Sequence, residues 1–137
     1  MVRVGIDLGD VRIGVAVSDE LGIVASPHSV ITSAGWNRDV ARISEIVDEV
    51  GAGEVIVGLP VNMDGTRGPR AQKATDFAQR LKEALDVPVL LWDERLSTAQ
   101  ANRALLEADL SRRRRREVVD KAAASLILQN YLEFVSR

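Results

Sequence analysis

The stretch Val2 to Ser18, VRVGIDLGDVRIGVAVS, decides the fold. Val2, Val4, Ile6 and Leu8 alternate with Arg3, Gly5 and Asp7. Beyond Gly9-Asp10-Val11-Arg12, Ile13, Val15 and Val17 alternate with Gly14, Ala16 and Ser18. Two period-2 runs around a glycine-containing turn predict a β-hairpin. After the turn Asp19-Glu20-Leu21-Gly22, a third strand is expected from about Ile23 to Ile31. Pro27 within it removes a ladder donor, which suits an edge strand or a bulge. The N-terminal third therefore reads as an antiparallel meander.

Further along the chain the period changes. Val40, Ile43, Val47 and Val50 recur at helical spacing behind Asn37, a candidate N-cap, and Gly51 and Gly53 end the segment. Val55-Ile56-Val57 is a short buried strand stopped by Gly58-Leu59-Pro60. A loop with an Asp64-Gly65 turn leads to a helix with Ala71, Ala74, Phe77, Ala78, Leu81 and Leu85 on one face. Val87 to Trp92 forms a further strand, whose continuous apolar run predicts cover on both faces. Ser97-Thr98-Ala99-Gln100 fits a capping box opening another helix, and a last helix is expected from about Glu117 to Val135. The order βββαβαβαα predicts one α/β domain over residues 1–137. Its sheet is mixed and five-stranded, with three antiparallel strands, two parallel strands and helices on both faces.

Composition narrows the chemistry. The 137 residues carry 18 Lys and Arg against 20 Asp and Glu, a net charge of −2, and 46% are hydrophobic, values ordinary for a globular domain. With no cysteine and a single histidine, disulfides, thiolate nucleophiles, zinc ribbons and multi-histidine metal sites are excluded. Only His28, inside an apolar stretch, is available as an imidazole, and it is expected to have no catalytic role. Catalysis would fall to carboxylates, lysine or hydroxyls. No run approaches the ~20 apolar residues of a membrane span, and Met1-Val2-Arg3 leads straight into a patterned strand, so a cytoplasmic protein is expected.

Three carboxylates stand where propensity would not place them. Asp7 lies near the end of the first strand between Ile6 and Leu8, where Asp is disfavoured. Glu94 follows Asp93 at the carboxyl end of the last strand, and strand ends of this kind border the ligand crevice of open α/β sheets. From Asp120, Ala123, Ala124, Ile127, Leu128 and Tyr131 fall at helical spacings, which puts Asp120 on the apolar face of the last helix. The alternative is structural: backbone amides satisfying Asp7, and Asp120 capping its own helix. An all-oxygen donor set selects hard cations, Mg²⁺ or Mn²⁺. Two such ions about 3.5 to 4 Å apart generate hydroxide and stabilise the leaving oxygen in phosphodiester cleavage.

Positive charge is concentrated in Arg112-Arg113-Arg114-Arg115-Arg116, expected just before the Asp120 helix, either as a solvated connector or as a phosphate-binding segment. Arg12 and Arg95 are candidates both for pairing with a site carboxylate and for contacting phosphate, and the sequence does not choose. Asp10 reads as a turn residue. Trp36 and Trp92 read as packing.

Asp7-Leu8-Gly9 with Arg12 to Asp19, Gly58-Leu59-Pro60-Val61-Asn62-Met63-Asp64-Gly65, Asp93-Glu94-Arg95 with Ser97-Thr98, and Asp120 to Ala124 leading to Ile127-Leu128-Gln129 resemble, in that order, the motifs of the YqgF/RuvX family. The resemblance covers nearly the whole chain. It implies a ribonuclease H-like fold and a nuclease, first described as a Holliday junction resolvase and now regarded as maturing the 5′ end of pre-16S ribosomal RNA. It also implies that Asp7, Glu94 and Asp120 are the metal-binding carboxylates, and that the Gly58 to Gly65 loop lies near the site with Asn62 a candidate substrate contact. Precursor rRNA, ribosomal precursor particles or branched DNA are the partners it suggests. The arginine run is outside the family signature.

Two rivals are weaker. Asp7-Leu8-Gly9 and Arg12 to Val17 also resemble the first phosphate-binding hairpin of sugar kinases and actin-like ATPases. Those enzymes close two related lobes around ATP, and no second Asp-x-Gly hairpin is present here. A non-catalytic nucleic-acid-binding module would gain nothing from three carboxylates facing a polyanion.

Overall fold

The computed structural model describes residues 1–94 and 112–136, with the side chains of 112–121 outside that description. The strands are β1 (Val2–Leu8), β2 (Arg12–Ser18), β3 (Ala25–Thr32), β4 (Ala52–Leu59) and β5 (Val89–Asp93). The helices are α1 (Trp36–Val50), α2 (Pro69–Ala84) and α3 (Arg112–Val135). The expected helix at Ser97 to Gln100 lies outside the described residues.

One five-stranded sheet runs in the order β3-β2-β1-β4-β5. β1 pairs antiparallel with β2 and parallel with β4, and β4 pairs parallel with β5, the mixed arrangement that the patterning predicts. β3 is the other edge. Its register shifts between the pairs Val15↔Ser29 and Ala16↔Pro27, leaving His28 as the extra residue. Pro27 thus sits both on an edge and at a bulge, and His28 is exposed there, its ring nitrogen 2.9 Å from the hydroxyl of its neighbour Ser29.

Strand alternation divides the core into two layers. Val4, Ile6, Ile13, Val15, Val55 and Val57 face α1 and α2, where Ile43, Ile46, Phe77 and Leu81 cover them. Ala16 and Ile56 face α3, against Ala124, Ile127, Leu128, Tyr131 and Leu132. Trp36 meets Phe77 edge-on at 5.2 Å, and Trp92 packs on Tyr131 and Phe134 at 5.4 and 5.0 Å, so both tryptophans are packing residues.

Three local expectations are corrected. α1 begins at Trp36 behind Gly35 and has no side-chain cap, so Asn37 is inside the helix. Asp39 supplies the carboxylate instead, reaching back to accept from the Ala34 amide at 3.0 Å and the Ser33 hydroxyl at 2.6 Å. Among the described residues β5 is not covered on both faces, because α3 crosses chiefly over β1, β2 and β3. Leu90 is consequently 40% exposed. Finally, the arginine run is not a connector: Arg112 to Arg116 are helical and continuous with the Asp120 segment in α3.

Candidate active site

The site lies on the α3 side of the sheet at the carboxyl ends of β1, β4 and β5. Gly5 faces α3: a Cβ there would come within 2.7 Å of the Leu128 Cβ and 3.2 Å of the Ala124 carbonyl oxygen. Asp7, two residues on, shares that face. It is partly buried and sits opposite Gly14. In the parallel pairing Ile6 opposes Val57, so the next residues outward are Asp7 on β1 and Gly58 on β4. Gly58 in turn opposes Trp92 of β5.

Glu94 follows β5 directly and is 1% exposed. Its carboxyl carbon would lie 3.5 Å from a Cβ at Gly58, and Ile127 Cδ1 would lie 2.6 Å from that Cβ. Gly58 therefore lies between Asp7 and Glu94 in the sheet and lets Ile127 and Glu94 pack close against the β4 backbone. A glycine is needed because any side chain there would meet Ile127.

α3 runs antiparallel to β1: Ala124 and Leu128 lie over Gly5, while Tyr131 lies against Arg3, whose guanidinium carbon is 5.8 Å from the ring centroid. From Gly5 to Asp7 the strand rises about 6.7 Å, and from Ala124 back to Asp120 the helix rises about 6 Å. The backbone register thus brings Asp120 level with Asp7. Asp120 is also eight residues inside a helix that begins at Arg112, so it does not cap that helix. Its side chain lies outside the described residues, and among those described no three acidic or histidine side chains form a metal cluster.

The other candidates separate. Arg12 opens β2 on the same face, two residues from the Gly14 partner of Asp7. Asn62 is engaged within its own loop. Its amide nitrogen donates to Thr66 Oγ1 at 3.0 Å, its backbone N–H bonds the Thr66 carbonyl at 3.0 Å, and its carbonyl accepts from Gly65 at 2.9 Å. Gly65 takes φ 89°, the conformation that the Asp64-Gly65 turn predicts. Asp10 is in the turn after β1 and pairs with Lys73 Nζ at 3.5 Å. Arg95 lies outside the described residues, as do the side chains of Arg112 to Arg116.

Sequence reasoning placed Gly58 near the site through its motif but missed the close packing on Gly58 and Gly5, which depends on which strands pair. It also missed Gln129, which pins α3 to the entry of β3 by accepting from the Ala25 amide at 2.8 Å and donating to the Ile23 carbonyl at 2.9 Å. Among the described residues no helix is long and apolar enough to cross a membrane.

Comparison with known proteins adds independent support. The family model described as "RuvX: Holliday junction resolvase" matches residues 1–134. A protein of Halothermothrix orenii is 50% identical over 133 residues, covering 97% of this chain and 95% of its own. One of Thermoanaerobacter pseudethanolicus is 52% identical over 130 residues, 94% of each chain. Both carry the name "Putative pre-16S rRNA nuclease". Among solved structures, Thermus thermophilus RuvC in complex with a Holliday junction substrate superposes with a TM-score of 0.61 at 17% identity, covering 99% of this chain and 97% of that one. The fowlpox virus Holliday junction resolvase gives 0.59 at 16%, covering 98% and 99%. The fold is the ribonuclease H-like one. On the full-length family match and the identity of these relatives, the chain belongs to the RuvX family of phosphodiester-cleaving enzymes.

Proposed function

We propose that this chain, acting as one cytoplasmic domain over residues 1–137, is a divalent-metal-dependent endonuclease that processes the 5′ end of pre-16S rRNA. The observation that carries this reading is that Asp7 and the buried Glu94 stand at the carboxyl ends of β1 and β5, on either side of Gly58 in β4, with the backbone of Asp120 at the level of Asp7.

Asp7, Glu94 and Asp120 would hold Mg²⁺ or Mn²⁺, two ions in all. The donor chemistry fits, since every candidate ligand is a carboxylate oxygen and the sequence has no cysteine and one histidine. When bound, such ions supply an activated water and neutralise the leaving oxygen. The chain's own residues position and exclude. Gly58 lets Ile127 and Glu94 sit against the β4 backbone. Ile127, fully buried, keeps water from this part of the sheet. β1 and β5, fixed in one sheet, hold two of the carboxylates at constant separation.

Nucleic acid is the partner class. The placement of Arg112 to Arg116 favours a role in binding it: five cations lie on the same helix as Asp120, one to two turns from it. Arg12, on the same face as Asp7, and Arg95, directly after Glu94, are the further backbone contacts in this reading. Asn62 acts through the shape of its loop.

The names of the relatives favour precursor rRNA, whether free or in ribosomal precursor particles, over the four-way DNA junction in the family's description. Incubation with end-labelled pre-16S rRNA and with a four-way junction, in Mn²⁺ or chelator, separates them. Metal-dependent cleavage of the RNA alone is expected. Cleavage of the junction alone would move the function to recombination. Binding of either without cleavage would favour a non-catalytic module.

A further inference from the structure

The rim of the crevice has a second basic side, on α2. Leu8, Leu59, Val61, Leu91, Ala71 and Ala74 form one apolar cluster, which seats the opening turns of α2 against the carboxyl ends of β1, β4 and β5. The Lys73–Asp10 pair ties the same turns to the loop that follows Asp7. Arg67 and Arg70 are exposed there, and α2 has no acidic residue in its first turn. Arg70 and Lys73, three residues apart, lie on one helix face about 5–6 Å from each other.

The nearby carboxylates are already engaged. Asp10 is held by Lys73, and Asp64 Oδ1 accepts from the Thr66 amide at 2.9 Å and its hydroxyl at 2.6 Å. Elsewhere, Arg3 and Arg42 pair with Glu54, Glu45 and Glu49, whereas Arg67 and Arg70 make no ion pair among the described residues. The bonds that close the Asn62 to Thr66 loop fix where Arg67 emerges. Two exposed arginines are thus held on the rim with no ion-pair partner among the described residues.

We propose that Arg67 and Arg70 bind the phosphate backbone of the substrate strand on the α2 side of the crevice, across the strand ends from the arginine turns of α3. The inference rests on the nuclease reading for the identity of the strand. It commits the substrate to crossing the carboxyl ends of β1 and β4, over Asp7 and Gly58.

The test measures binding of a fluorescent RNA hairpin with a single-stranded 5′ extension by anisotropy, in chelator, over a range of KCl. Each lost phosphate contact lowers the log–log salt slope by about 0.7 for single strands and about 0.9 for duplex. The double variant Arg67→Ala/Arg70→Ala is expected to lower it by about 1.4 to 1.8, and Arg42→Ala, on α1, to leave it unchanged. A parental slope in the double variant would overturn the proposal, as would an equal fall in Arg42→Ala. A parent protein that binds RNA but cuts none in Mn²⁺ would overturn the nuclease reading alone, with the slope still deciding the surface. A parent that binds no RNA would overturn both.

Discussion

Replacing Gly5 by alanine tests whether close approach of α3 to the sheet is what places Asp120 over Asp7. A Cβ at Gly5 would stand 2.7 Å from the Leu128 Cβ and 3.2 Å from the Ala124 carbonyl oxygen. Neither atom is the end of a flexible side chain, so α3 itself must retreat by about 0.7 Å to restore ordinary contact near 3.4 Å. Overpacking of this kind costs about 3 kcal/mol, at the upper end of its range. Alanine recovers about 0.5–1 kcal/mol over glycine in a strand, leaving a net loss of about 2 kcal/mol. With an unfolding entropy near 2.1 cal/mol/K per residue over 137 residues, Tm should fall by about 7 °C. Cleavage should fall further, because misplacement approaching 1 Å at a catalytic group costs up to about 100-fold. Gly58→Ala is the control. Its nearest contact, Ile127 Cδ1 at 2.6 Å, can rotate away, so its Tm should stay within about 3 °C of the parent. Thermal unfolding by circular dichroism, with single-turnover cleavage beside it, reads both. A Gly5→Ala protein with parental Tm, or one no less stable than Gly58→Ala, would refute this account of the α3 interface.

Three further outcomes follow from individual residues. Burial, and then a hydrogen bond to Glu54, push the Tyr131 phenol up to about 12. Its contribution to stability is complete below the unfolded value near 10 and is lost as pH rises through 12. Tyr131 is the chain's only tyrosine, so a tyrosinate absorbance titration should show one midpoint near 12, and a midpoint near 10 would contradict the packing described. The Asp19 carboxyl is held below its ordinary value by the Val24 and Ile23 amides; Asp19→Ala should be less stable than the parent at pH 7, with the difference shrinking as pH falls below about 4. Asp39→Ala removes the acceptor for both Ser33 and Ala34 and should cost about 1–3 kcal/mol in urea unfolding, whereas a parental midpoint would mean that the α1 entry is held by other contacts.

Much of the fold was legible because its signals are local. The alternation from Val2 to Val17 specifies a hairpin with one face of large apolar residues and one of mostly small residues, and Pro27 excludes its strand from the sheet interior. What escaped depends on pairing. The apolar run Val87 to Trp92 carries the same pattern in a central strand as in an edge strand, so the exposure of Leu90 could not be read from it. Gly35 and Asn37 compete locally for the start of α1, and the outcome is set by Asp39, whose partners lie upstream in the chain. The arginine run looks like a connector by charge, yet arginine is a good helix former and α3 runs straight through it. In the candidate site, Asp7 and Glu94 stand out in the sequence because carboxylates at strand ends contradict propensity. The close packing of Ile127 and Glu94 on Gly58 does not, since it arises only when β4 comes to lie between β1 and β5.

The central claim is that Asp7, Glu94 and Asp120 hold a divalent metal over Gly58. It is tested most directly by the thermal shift that Mn²⁺ produces in the parent protein and in Asp7→Asn, Glu94→Gln and Asp120→Asn. A ligand at about 100 times its Kd stabilises the state it binds by about 2.7 kcal/mol, so the parent should gain about 9 °C. Each variant should remain folded and lose most of that gain. Variants that keep the parental shift would contradict the claim, as would a folded parent that shows none.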